Sequence, residues 1–250
     1  MLFRSWPLSW NLDTTQTTLI TFKGYEQAFK TSDATGLQRM YYDRNKPYTK
    51  QVMYYNVYKP SSFVAAPSAY IIPQGWSNVV DLMKLNNVAA IQLKSDSVIE
   101  VEAYHIDDYK SATRPYEKHH KNSGVKVSVM KQKIKFLKGD YWIPVDQQSK
   151  RYILEMLEPT GDDSFFAWNF FDAILQQKEG YSDYRWEDLA AEVLRKDPVL
   201  RAKLEEKKAG DPKFAANSPA QLDFIYKNSP YYEPGHNRYP VYRWNADRHD

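Results

Sequence analysis

Runs of apolar and polar positions divide the chain into three stretches. In the first, Thr17-Thr18-Leu19-Ile20-Thr21-Phe22 is rich in β-branched and aromatic residues and predicts a strand, followed by a short helix over Tyr25–Lys30. Residues 1–47 hold few aliphatic side chains, so they read as an extended segment that packs on a neighbouring domain. From 48 to 160 the pattern becomes α/β. Val52–Tyr58 predicts a strand closed by Lys59-Pro60, and Ser68–Ile72 a short strand that stops at Pro73. Ser77 reads as a helix cap before Val79, Val80, Leu82, Met83 and Leu85, which share one helical face. Val88–Leu93 is the next strand, so the three elements predict a βαβ unit with parallel strands and a right-handed crossover. Antiparallel strands are predicted at Val98–Tyr109, Val125–Met130 and Lys131–Lys138.

The third stretch, 161–250, reads as a helical layer with an extended tail, one unit with 48–160. Asp162-Asp163-Ser164 supplies capping oxygens before a helix through Phe165, Phe166, Trp168, Phe170, Phe171 and Leu175 that is apolar on nearly all sides. Trp186–Lys196 is amphipathic, and Pro198 and Pro219 stand where a first helical turn favours proline. The tail from Ser229 to Trp244 predicts extended chain laid on the surface. The fold class is therefore α/β or α+β, a mixed sheet with at least one βαβ unit followed by a helical C-terminal layer. One motif repeats: Tyr70-Ile71-Ile72-Pro73 returns as Tyr141-Trp142-Ile143-Pro144, each followed by a helical pattern. If the two strands are parallel neighbours, the loops after their prolines share one edge of the sheet, the edge where open α/β sheets bind ligands.

Composition narrows the function classes. The 250 residues include 20 Tyr, 11 Phe and 7 Trp but only 9 Gly, and no Cys. Disulfides and thiolate metal sites are excluded, while the cellular compartment stays open. No apolar run reaches the roughly 18 residues that span a bilayer, and the start Met1–Pro7 does not read as a signal peptide. The net charge of +3 is near balance. The densest basic stretch, Lys118–Lys138, alternates Lys131, Lys133 and Lys135 with Gln132, Ile134 and Phe136. That is the period of a strand with one lysine-coated solvent face, not a nucleic-acid stripe.

Candidate chemistry is sparse. None of the five histidines has a glutamate three residues on, so no helical zinc motif is present. Glycine-rich phosphate loops and a Gly-x-Ser-x-Gly elbow are also missing. Glu117, His119 and His120 are the best ligand-like cluster, because a strand would put Glu117 and His119 on one face. Lys118 and Lys121 oppose a cation there, and a solvent-exposed role is the plainer reading. Trp76, Trp142 and Trp168, with Gln74 and Asn169, are candidates to line a peptide or sugar groove, against the commoner fate of aromatic packing. No catalytic set emerges.

Six segments carry a resemblance: Phe3–Asn11, Ala69–Trp76, Pro115–His120, Leu157–Pro159, Asp163–Phe171 and Ser229–Pro234. Together they resemble the C-terminal region of bacterial zinc carboxypeptidase-like proteins of the Bacteroidetes type, in the carboxypeptidase A superfamily. The resemblance spans about Phe3 to Arg243. It implies a parent protein exported to the periplasm or outside, which removes C-terminal residues from peptides with zinc-activated water. The zinc ligands and the catalytic glutamate would lie in an upstream peptidase domain. Zinc is thus implied for that domain and no cofactor for this chain. The implied role here is an accessory region that packs on the peptidase domain and shapes access of a peptide substrate. An aromatic-lined peptide- or carbohydrate-binding module is the alternative. Lys118 stands where the family pattern has glycine, and Gly235 precedes His236 where it has alanine.

Overall fold

The computed structural model describes residues 5–178 and 180–246. Phe3, Arg4 and His249 lie outside them. The chain divides after Ala66 into two compact units; residue 47, where the sequence suggests a boundary, lies within a strand.

The first unit is built from two antiparallel ribbons. β1 (Ser5–Leu12) pairs with β4 (Tyr58–Ala65), and β2 (Thr18–Thr31) with β3 (Gln38–Tyr54). Asp13 turns the chain out of β1: its carboxylate accepts from Thr15 N at 3.1 Å, Thr15 Oγ1 at 2.6 Å and Gln16 Nε2 at 2.9 Å. Those bonds lower its pKa to about 2. The helix expected over Tyr25–Lys30 is strand instead, with Tyr25 opposite Pro47 and Lys30 opposite Arg39. Six residues are too few to repay helix nucleation, whereas a partner strand satisfies their backbone groups. A bulge between Tyr25 and Glu26 accommodates Pro47, which has no N–H to donate. Two residues before the bulge, Gly24 leaves room for the Tyr48 ring; a Cβ there would meet it at 2.8 Å.

The second unit combines strands and helices as the sequence predicts. Its strands are β5 (Ala69–Ile72), β6 (Ile91–Gln92), β7 (Ser97–Ser111), β8 (Asn122–Phe136), β9 (Tyr141–Pro144) and β10 (Tyr242–Trp244), in the order β6-β9-β5-β10-β7-β8. Every hydrogen-bonded neighbour pair is antiparallel. The βαβ unit is split. β5 and β6, joined by α1 (Ser77–Leu85), run parallel, but β9 lies between them and Trp142 stands opposite both Ile71 and Ile91. Because β5 and β9 are antiparallel, the loops after Pro73 and Pro144 lie at opposite ends of the sheet and share no edge. The two strands predicted on either side of Met130 form the single strand β8, since no turn residue separates them; Lys131, Lys133 and Lys135 are exposed along it.

Helices α2 (Lys150–Leu157), α3 (Asp183–Lys196), α4 (Pro198–Gly210), α5 (Pro212–Ala215) and α6 (Ser218–Lys227) follow. Side chains of Asp197, Asp211 and Asn217 cap α4, α5 and α6, each just before or beside a proline in the first turn. α3–α6 carry their own core of Trp186, Val193, Leu200, Leu204, Phe214, Ile225 and Tyr226. The helix expected from Phe165 is a chain of turns ending in a 3-10 turn at Asp172–Ile174. Asn169, with φ at 65°, leaves the right-handed helical region and interrupts it. Phe165, Phe166 and Phe171 are nevertheless buried.

The tail departs most from expectation. β10 is not laid on the surface: it occupies the middle of the sheet, hydrogen-bonded to β5 on one side and β7 on the other. On one face Tyr242 joins Ile71, Val101, Ala103 and Phe136 in a core, with Trp142 and Trp244 packed against it. On the other face Arg243 lies opposite Tyr70 and Glu102. Its Nη1 donates to Tyr104 Oη at 2.9 Å and stands 3.2 Å from Glu102, while Nε is 3.3 Å from Glu158 Oε1. Glu158, 1% exposed, also accepts from Tyr70 Oη at 2.5 Å and Tyr104 Oη at 2.8 Å. Burial pushes the Glu158 carboxyl above its ordinary value, with Arg243 and the two hydroxyls opposing that rise.

Truncating one partner of a buried ion pair leaves the other charge stranded. Arg243→Met should therefore lower unfolding free energy by ~3–5 kcal/mol, read by urea titration. A loss below ~1 kcal/mol would mean that water solvates the site.

Candidate functional site

The hairpin tip between β7 and β8 meets the turn-rich segment 164–172. Tyr116 and His119 exchange backbone hydrogen bonds at 2.9 Å, closing a two-residue turn. Both central residues have positive φ, Glu117 at 49° and Lys118 at 70°, as primed hairpin turns require. Asn122, almost fully buried, clamps this tip. Its N–H donates to Ala167 O at 2.8 Å, its Nδ2 to Phe166 O at 3.2 Å and Asp172 Oδ1 at 3.0 Å, and its Oδ1 accepts from Ser111 Oγ at 2.7 Å. Asn169 ties the two segments again, with Nδ2 donating to His120 O at 3.0 Å and Asp172 Oδ2 at 2.9 Å. Its Oδ1 is shielded from solvent and has no hydrogen-bond partner among the described residues.

A cluster of rings results. His119 meets Trp168 edge-on at 5.5 Å and stacks on Phe170 at 6.0 Å, and Tyr116 tilts against Trp168 at 6.3 Å. Lys121 Nζ sits 4.2 Å over the Trp168 ring and 2.9 Å from Asp163 Oδ1. That ammonium holds the Asp163 carboxyl below the usual carboxylate range. Tyr116 remains largely exposed and Trp168, Asn169 and Phe170 are half-buried. The arrangement offers ring stacking and hydrogen bonding beside a charged pair.

The candidates from sequence fall in three places. Trp168 and Asn169 share the cluster just described. Gln74 and Trp76 share the 3-10 turn after β5. There Gln74 uses its backbone N–H on Asp140 Oδ1 at 3.0 Å and its Nε2 on Lys138 O at 3.1 Å. Trp76 packs edge-on against Phe171 at 5.0 Å. Trp142 is on the sheet face of Ile71, 4.8 Å from Trp244. Phe171 packs in turn on Tyr239, whose hydroxyl donates to Leu157 O beside Glu158 on the other face, so Trp76 and Trp142 line no common groove. Of the metal candidates, Glu117 is an exposed turn residue, the His119 ring is held among aromatics, and His120 Nδ1 is 2.8 Å from Ala112 O. Among the described residues no group of three or more His, Asp or Glu is arranged to hold a metal ion.

The part that Lys121 and Phe170 play here escaped the sequence reading. The available signal was that two of the resemblance-bearing segments, Pro115–His120 and Asp163–Phe171, both concentrate rings; these are the segments that meet. Lys118 at φ 70° carries a side chain where the backbone favours glycine. Lys118→Gly should raise stability by ~0.5–1 kcal/mol, seen as a higher melting temperature; a fall would show that the lysine stem contributes packing. Comparison with protein-family models, with curated proteins and with solved structures finds no match to this chain.

Proposed function

We propose that the chain is a non-catalytic accessory region of an exported zinc carboxypeptidase-like protein, packing on the peptidase domain and shaping access of a peptide substrate. One observation carries this reading. The β2–β3 ribbon is two strands wide, with Leu19 68%, Phe29 64%, Tyr42 61% and Met53 61% exposed. A lone two-stranded ribbon is marginal in water, and these side chains gain stability only under a cover. A domain that expects a neighbour explains both. The six resemblance-bearing segments name the kind of neighbour. Among the described residues no helix is long and apolar enough to cross a membrane.

The test pairs this protein with the polypeptide encoded directly upstream of Met1. That polypeptide should carry a His-x-x-Glu motif and bind this chain. On binding, amides between Leu19 and Met53 should exchange at least ~10-fold more slowly. A reading frame without the motif, or a complex that leaves the ribbon unprotected, overturns the proposal.

The Trp168 cluster favours a second reading, a surface that stacks on a peptide side chain or sugar ring. In that case Trp168→Ala should abolish retardation on peptide- or glycan-loaded affinity gels while the melting curve stays cooperative. Equal retardation of the variant and the parent chain rejects it.

A further inference from the structure

The helical layer holds a cleft of about 480 Å³ between α3, α4 and α6. That volume lies within the range of small-molecule sites. Each helix contributes one stripe of side chains at helical spacing: Glu187 and Leu194 from α3, Arg201 and Leu204 from α4, Leu222 and Ile225 from α6. Leu194, Leu204, Leu222 and Ile225 supply the apolar lining. Glu205 and Lys208, also at the cleft, neutralise each other at 3.0 Å.

Glu187 and Arg201 are different. Both line the cleft, and neither side chain forms an ion pair or hydrogen bond among the described residues. Two exposed charges of opposite sign beside leucine side chains, neither in an ion pair, complement a small zwitterion that carries an apolar group. A fatty acid would answer Arg201 and leave Glu187 unmatched; an apolar amine would do the reverse. We propose that the cleft binds free apolar amino acids or short apolar peptides. The ligand carboxylate pairs with Arg201, the ammonium with Glu187, and the side chain lies on the leucines. The fork of an arginine suits a carboxylate, and Arg201 and Glu187 are both exposed and open to a ligand. This site stands apart from the accessory reading, because it lies wholly within the helical layer and needs no partner protein.

The test is calorimetric titration of the full chain with L-leucine and with Leu-Leu, beside N-acetyl-leucine and leucinamide, which lack one charge each. At least one unblocked ligand should bind, and each blocked form should bind ~10-fold more weakly, the loss expected of one charge-assisted bond. Arg201→Gln should weaken leucine by a similar factor and leave leucinamide unchanged. Glu187→Gln should do the same for leucine and spare N-acetyl-leucine. Tighter binding of Leu-Leu identifies peptides as the ligand, and tighter binding of leucine identifies free amino acids. Three results overturn the proposal: no heat from either unblocked ligand at ~10 mM, blocked forms that bind as tightly, or variants with unchanged melting curves that bind like the parent chain.

Discussion

The contact of Arg243 with Glu158 is the point through which the second unit is tied together. Arg243 comes from the strand that completes the sheet, Glu158 from the end of the helix packed on that sheet, and Tyr70 and Tyr104 from the two strands that β10 joins. Four segments remote in sequence are thereby fixed by one set of polar contacts in a site nearly closed to water. Geometry of this kind is demanding, since a buried carboxylate must have its charge and lone pairs answered or be left costly. Glu158, Arg243 and Tyr104 are each answered by more than one other. The network specifies where the last strand sits, while the rings on the opposite face, Phe136 and Tyr242 among them, supply the area removed from water.

The two units solve the problem of burial differently. The second has an apolar sheet face and a separate helical core around Trp186. The first has long strands, a bulge at Pro47 and an aromatic ring laid over Gly24, devices that fix register in a ribbon without giving it an interior. Its order depends on contacts such as Phe22 with Tyr48 across the strands and Lys50 over the Tyr48 ring along β3. Contacts of that size are individually a fraction of a kcal/mol to about 1 kcal/mol.

Legibility followed how local the deciding interaction was. The capped helices beginning at Pro198 and Pro219 were readable because proline and its neighbouring cap act within one turn. The lysine-faced strand was readable because alternation has a period of two. Tyr25–Lys30 misled because the six residues by themselves do not show that Gln38–Pro47 folds back across the turn to pair with them. The βαβ pattern over 69–92 correctly indicated parallel strands, but a sequence cannot say that β9 will enter between them. Phe165–Leu175 carried a helical density of apolar residues, but it forms successive turns and Asn169 is left-handed among them. At the candidate site Trp168 and Asn169 were within reach of composition. Their neighbours Tyr116, His119 and Lys121 come from a hairpin tip far away in the chain, and only the fold brings them together. The cleft around Arg201 left no trace in sequence, because unpaired surface charges and helical leucines are each commonplace.

The position of β10 has a temporal meaning. During synthesis the sheet must wait for its middle strand, since β5 and β7 leave the ribosome long before Tyr242–Trp244 does. Until then the strands of β6-β9-β5 and of β7-β8 lack the one strand that hydrogen-bonds to both groups, and Tyr70, Tyr104 and Glu158 lack Arg243. Helices α3–α6 are made in that interval and can form on local contacts. Pairing of β10 with β5 and β7 has the longest loop to close and comes last. A chain that stops short of Tyr242 lacks the strand that pairs with β5 on one side and β7 on the other, which leaves the facing edges of those two strands without their native partner.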